Sequence, residues 1–167
     1  EDDYTRLVMM TDGYKRAADL AVAHCVESRG DRDFLVYPII FNYRQFIELS
    51  LKHQLATHGW RVGIKANWHS HKLDGLWDQF QEMLDRYGNP DPDNADPIVA
   101  SVVAQFSKID PKSDAYRYPV DQNGKPLPVA FAATHLDNLA DVMKAVEGYF
   151  TGCDGYLSVL SGAGPQT

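Results

Sequence analysis

The segment from Asp33 to Gly59 (DFLVYPIIFNYRQFIELSLKHQLATHG) reads as one long helix, and its inner face constrains the fold more than any other feature of the chain. At about 100° per residue, Tyr37, Ile40, Phe41, Arg44, Ile47, Glu48, Leu51 and Leu55 fall on one side. A stripe of this length faces a core. Arg44 and Glu48, one helical turn apart, stand in the middle of it. Charges among apolar neighbours need a partner or a cleft that admits water. Either the fold holds a buried structural ion pair, or this face lines a polar site. Lys52 extends the row toward the border of the stripe, and on an exposed helix the series would be an i, i+4 charge ladder.

The remaining periodicity is also helical. A first helix is expected from about Asp3 to Ser28, with Leu7, Met10, Tyr14, Ala17, Ala21, His24 and Cys25 at helical spacing. Gly30 and Asp31 stop it. The connection to the second helix is so short that the two are expected to form an antiparallel hairpin. Pro38 falls near the start of that second helix, where it is tolerated or marks a kink. After the loop WRVGIKANWHSHKL, Ser70 is the expected cap of a third helix carrying Leu73, Leu76, Trp77, Phe80, Leu84 and Tyr87. Gly88 and NPDPDNADP break it. Asp96-Pro97 opens a fourth helix, with Asp96 as cap. The stretch from Lys108 to Val129 holds Pro111, Pro119, Pro126 and Pro128. Around Asn123-Gly124 it is expected to form a short hairpin limited by those prolines. A last helix is expected from about Thr134 to Leu160, with a break possible near Gly152. The fold class is therefore all-α: a helical bundle with two long antiparallel N-terminal helices and a small hairpin or loop insertion before the last helix. One domain covers 1–160, and 161–167 reads as a flexible tail.

Composition narrows the function. A length of 167 residues supplies one domain with a proper core. No apolar run is long enough to span a membrane. The acidic start EDDYTRLVMM lacks the order of a signal peptide. Cys25 and Cys153 sit on apolar faces without zinc spacing, so they read as reduced core residues of a cytoplasmic protein. A formal charge of −7 argues against broad nonspecific nucleic-acid binding, but it leaves room for a local basic site.

Chemistry is sparse. Of six histidines, His53, His58, His69 and His71 cluster within 19 residues. The pair His69 and His71 has no third ligand nearby, and no metal is expected. If Ser70 caps the third helix, His71 lies in its first turn. There the helix dipole favours a neutral imidazole able to accept a proton, and free N–H groups suit an anion. The alternative is a solvent-facing histidine near a cap. The stretch Asp114-Ala115-Tyr116-Arg117-Tyr118-Pro119 gathers an acid, a guanidinium and two phenols in a loop, which suits ligand binding or simply ties the insertion to the bundle. No GxSxG elbow, P-loop or GxGxxG is present, no cysteine has an activating context, and no cofactor is expected.

NYRQFIELSLKHQL followed by HSHKLDGLW resembles the HEPN domains of prokaryotes, through Arg44, Glu48, Leu51, Lys52, His71, Leu73 and Leu76. DAYRYP, residues 114–119, is similar to a signature of an uncharacterised HEPN-like group. The resemblance covers about residues 1 to 160 in helix order, and its specific motifs some 30 residues. It implies an all-α bundle that commonly forms a homodimer. It also implies either a metal-independent endoribonuclease of a toxin–antitoxin or phage-defence system, or a nucleotide-binding or noncatalytic partner protein. The ribonucleases of the family carry R-x4-6-H. Here Arg44 and His53 have eight intervening residues, while Arg61–His69 and Arg16–His24 have seven, so that pair does not transfer.

These readings combine into one expectation and one rival. Arg44, Glu48 and Lys52 form a wall of a polar cleft, His71 and Arg44 are the candidate catalytic residues, and Asp114, Arg117 and Tyr118 close the site. Its ligand is a nucleotide or RNA. An antitoxin or defence-system protein is the expected partner, and no membrane is involved. The rival is a noncatalytic protein-interaction module whose buried ion pairs are structural.

Overall fold

The structure, a computed structural model, describes residues 3–88, 91, 93–127 and 135–162. Five α-helices follow one another: α1 Asp3–Glu27, α2 Arg32–His58, α3 Leu73–Tyr87, α4 Asp96–Ile109 and α5 Leu136–Ser161. The all-α class is therefore as expected. None of the described helices is long and apolar enough to cross a membrane.

The hairpin of α1 and α2 is the frame. A single 3₁₀ turn, Arg29–Asp31, joins them, and His24 Nε2 lies 2.6 Å from Asp31 Oδ2 across the corner. The helices run antiparallel. Tyr14 meets Phe41, and further from the corner Tyr4 stacks near His53. Tyr43 Oη also donates to Asp19 Oδ1 at 2.7 Å. Pro38 is absorbed in the second turn of α2, where Pro38 itself is exposed and the carbonyl it leaves without an N–H belongs to the exposed Phe34.

α2 is the central helix. Between Tyr43 and Leu55 nearly every position is buried, including Arg44, Glu48, Ser50, Lys52 and Gln54. Neighbours therefore cover it on several sides. Phe46, Phe80, Tyr149 and Phe150 bring α2, α3 and α5 into one aromatic cluster with edge contacts of 5.6–6.4 Å. Tyr37, expected in the stripe, is 37% exposed and leans on Tyr116 instead.

Several boundaries differ from the sequence reading. α3 begins at Leu73 with Lys72 in the cap position, not Ser70, and Ser70 Oγ only accepts the Lys72 N–H at 3.3 Å. Ala95 rather than Asp96 precedes α4, because Asp91 Oδ1 takes the Ala95 N–H at 2.9 Å and so caps the turn from outside. α5 runs through Gly152 without a break, since Phe150 and Leu157 on either side are both buried and packing overrides propensity. The expected hairpin shrinks to one antiparallel bridge, Val120 with Pro126, closed over Gly124 at φ 75°. Pro128 and Val129 of that hairpin, and Thr134 of the last helix, lie outside the described residues. Of the expected tail, Ser161 is still helical and buried, Gly162 ends the helix at φ 65°, and 163–167 lie outside the described residues.

One backbone approach fixes the exit from α2. The Gly59 carbonyl accepts the Ile64 N–H at 2.9 Å, and a Cβ on Gly59 would stand 2.5 Å from the Ile64 carbonyl oxygen. Gly59→Ala is expected to cost about 1–3 kcal/mol in urea denaturation, whereas Gly30→Ala, whose Cβ would meet nothing within 4 Å, is expected to stay near the wild type.

Candidate functional site

Arg44 has no exposed surface, and each of its guanidinium nitrogens is engaged. Nη1 donates to Glu48 Oε2 at 2.8 Å, Nη2 to the His71 carbonyl at 2.6 Å, and Nε to the Asp110 carbonyl at 2.9 Å. One side chain thus ties α2 to the chain before α3 and to the chain after α4. Lys52 repeats the pattern one turn beyond Glu48. Its Nζ donates to Glu48 Oε1 at 2.8 Å and to the Trp68 carbonyl at 3.1 Å. The two cations face two buried acids, Glu48 and Asp110, the latter with Oδ2 3.7 Å from Arg44 Nε. Balanced charge is what makes a polar centre of this size tolerable in a core.

Glu48 is the hub. Burial alone would push its carboxyl up, but hydrogen bonds from Lys52, His71 and Arg44, with the Lys52 charge, outweigh that and hold it below its ordinary value. The carboxylate therefore stays ionised. Its Oε1 also lies 2.9 Å from His71 Nδ1. His71 itself is on the rim, with 58% of its side chain exposed. It precedes α3 instead of occupying its first turn, so the expected helix-dipole effect on the ring is replaced by a buried carboxylate on one nitrogen.

The expected site residues thus fall into two groups. Arg44, Glu48, Lys52 and His71 form one connected network. Asp114 reaches it through the backbone, its N–H donating to Asp110 Oδ1 at 2.9 Å. Arg117 and Tyr118 stand apart on the exposed side of the insertion. Arg117 Nε donates to the Ser113 carbonyl, and its guanidinium lies over the rings of Phe41 and Tyr118 at 5.6 and 5.3 Å. The network is enclosed: the wall expected to line a cleft is sealed except at His71.

Two participants escaped the sequence reading. Asp110 is fully buried and folds the start of the insertion, taking the N–H groups of Asp114 and Ala115 on Oδ1. Its signal was an Asp-Pro step directly after an apolar helix. The other is the loop itself. Residues 61–73 contain no acid, and they present Lys65, Trp68, His69, His71 and Lys72 on the exposed surface. Elsewhere, His58 Nε2 meets Asp154 Oδ1 at 2.8 Å and Nδ1 meets Ser161 Oγ at 3.3 Å. This resembles a nucleophile triad in composition only, because His58 and Ser161 are both fully enclosed. Among the described residues, no group of three or more His, Cys, Asp or Glu side chains is placed to hold a metal ion.

Glu48→Gln is expected to cost about 3–5 kcal/mol, because it leaves buried cations uncompensated. A lowered folded pKa gives stability that is complete above the ordinary carboxylate range and fades as pH falls through the folded value. The gap between wild type and Glu48→Gln in urea melts should therefore be widest near neutral pH and narrow as pH falls below the ordinary carboxylate range.

Comparison with family models, with curated proteins and with solved structures gives no match for this chain.

Proposed function

We propose that this is a HEPN-like protein that binds a nucleotide or RNA through the loop before α3, within a bacterial toxin–antitoxin or phage-defence system. The observation that carries the reading is His71: a rim histidine with Nδ1 held by a buried carboxylate that is itself fixed by two buried cations. In the neutral ring, Nδ1–H donates to Glu48 and Nε2 is left as the proton acceptor. RNA cleavage by this route is metal-independent. Nε2 takes the proton of a 2′-hydroxyl, the oxygen attacks the adjacent phosphorus, and the P–O bond to the 5′-oxygen breaks. The imidazolium then returns its proton to the leaving 5′-oxygen, which gives a 2′,3′-cyclic phosphate and a 5′-hydroxyl. Phosphate charge at the loop is met by Lys72, with Trp68 offering a ring for a base, and Arg117 and Tyr118 on the insertion offer a second cation and ring to the rest of the strand. Arg44 and Lys52 have no exposed face to offer, so they serve as positioning residues that hold the loop and Glu48.

The rival is a noncatalytic interaction module, acting as a homodimer or with an antitoxin or defence-system protein. What favours it is the complete burial of Arg44, whose three nitrogens are all spent inside the protein.

Labelled nucleotides and short single-stranded RNA, titrated by fluorescence anisotropy with cleavage followed in parallel, separate the two. The expected result is binding that weakens with salt, is lowered by Arg117→Ala, and is accompanied by cleavage that falls by about 10²–10⁴-fold in His71→Ala with an unchanged circular dichroism spectrum. Salt-sensitive binding without cleavage marks a noncatalytic sensor. Negligible binding by wild type and both variants leaves the interaction module.

A further inference from the structure

A second polar region lies between α1, α2 and α5, built from residues that the loop before α3 does not use. It is a cavity of about 170 Å³. Among the described residues, three carboxylates border it, Asp12 from α1 and Glu147 and Asp154 from α5, and no Lys or Arg side chain does. Phe46 and Phe150 give it an apolar side and meet each other at 6.4 Å.

Gln54 and His53 give the cavity its direction. Gln54 is 2% exposed and borders it. Its Nε2 donates to the Phe150 carbonyl at 2.9 Å, which settles the orientation of the amide and leaves Oε1 as an acceptor. Among the described residues, Gln54 Oε1 has no hydrogen-bond partner, nor does the buried Nε2 of His53, which borders the same cavity. Burial drives the His53 imidazole toward its neutral form against the pull of Asp154 and Asp12. A buried acceptor without a donor is costly. The nearby Lys15 and His58 are already engaged: Lys15 Nζ reaches Glu147 Oε2 at 3.1 Å and Asp19 at 2.7 Å, and His58 takes one oxygen of Asp154.

We infer that this cavity binds a small primary alkylammonium. An ammonium group supplies three N–H donors and one positive charge, which answers the unpartnered Gln54 oxygen and the bordering carboxylates together. The short alkyl chain packs on Phe46 and Phe150. A cavity of about 150 Å³ accommodates a molecule the size of benzene, so a ligand of about five or six heavy atoms fits. With no set of three metal-ligating side chains among the described residues, the donor chemistry suits an organic cation over a metal ion. This inference is independent of the RNA reading, since its residues lie on another side of α2.

The probe is n-butylammonium chloride, followed by isothermal titration calorimetry and thermal denaturation of the full chain. Controls at equal concentration and ionic strength are 1-butanol, sodium butyrate and tetramethylammonium chloride. The expected result is saturable binding of butylammonium with a rise in melting temperature, and none with the three controls. Asp12→Asn, an exposed position, should weaken binding at least threefold while keeping the fold, and Gln54→Met should weaken it at least tenfold. If Gln54→Met fails to fold, Asp12→Asn decides. Two results overturn the inference: no saturable binding by the wild type, which leaves a water-filled pocket only, or butylammonium binding that Asp12→Asn does not alter.

Discussion

The guanidinium of Arg44 is the interaction on which the rest of this structure depends. The bundle must pass two irregular segments, 63–72 and 110–127, across the middle of its central helix. Such segments carry backbone carbonyls that have no ladder or helix to bond to. Arg44 and Lys52 provide the missing donors, satisfying the carbonyls of Asp110, His71 and Trp68. Glu48 then compensates the charge that those donors bring in. The quartet of Arg44, Glu48, Lys52 and Asp110 therefore does the work of secondary structure where the chain has none. An apolar replacement of similar volume would spare the desolvation of four charges. It would also leave three carbonyls without partners and both segments without a fixed seat.

Side-chain ties of the same kind recur further along α2. Gln54 donates to a carbonyl within α5, Tyr87 Oη donates to the His58 carbonyl at 2.7 Å, and the His58 ring joins α2 to Asp154 and Ser161. Side-chain hydrogen bonds thus fix α5 and the end of α3 against the C-terminal half of α2. The quartet fixes the loops against its middle. Lys52, Gln54 and His58 each join α2 to a segment that is distant in sequence.

The architecture was legible because amphipathic stripes are local, and the Arg44–Glu48 pair was legible because i, i+4 spacing on a buried face leaves few alternatives. Glu48 was expected to pair with Arg44 or Arg117; it pairs with Arg44 and Lys52, while Arg117 lies over Phe41 and Tyr118. What the sequence did not disclose depends on long-range partners. Arg44 and Asp110 are 66 positions apart, and nothing near Asp110 announces a buried guanidinium. The start of α3 was misplaced because Ser70 has the chemistry of a cap, while the chain reaches helical geometry only at Leu73. That shift of a few residues changes how His71 is understood, from a ring at a helix terminus to a ring held by a carboxylate. Gly152 failed as a breaker because Phe150 and Leu157 on either side of it are buried, and packing of that kind is invisible to propensity.

Why both polar regions belong to α2 follows from its position. A helix covered on several sides cannot keep its polar residues in water by turning one face outward. Glu48 and Gln54 are six residues apart, about 240° around the axis, so each meets a different set of neighbours. On the side of Glu48 the neighbours are loops, and their carbonyls draw in cations. Toward Gln54 the neighbours are α1 and α5, whose carboxylates Asp12, Glu147 and Asp154 border the cavity beside the unpartnered Gln54 oxygen. The same burial yields a charge-balanced centre on one side and an acceptor-rich cavity on the other. The chemistry each can support is accordingly opposite: the first holds a histidine at the surface beside a stretch free of acids, and the second selects for positive charge.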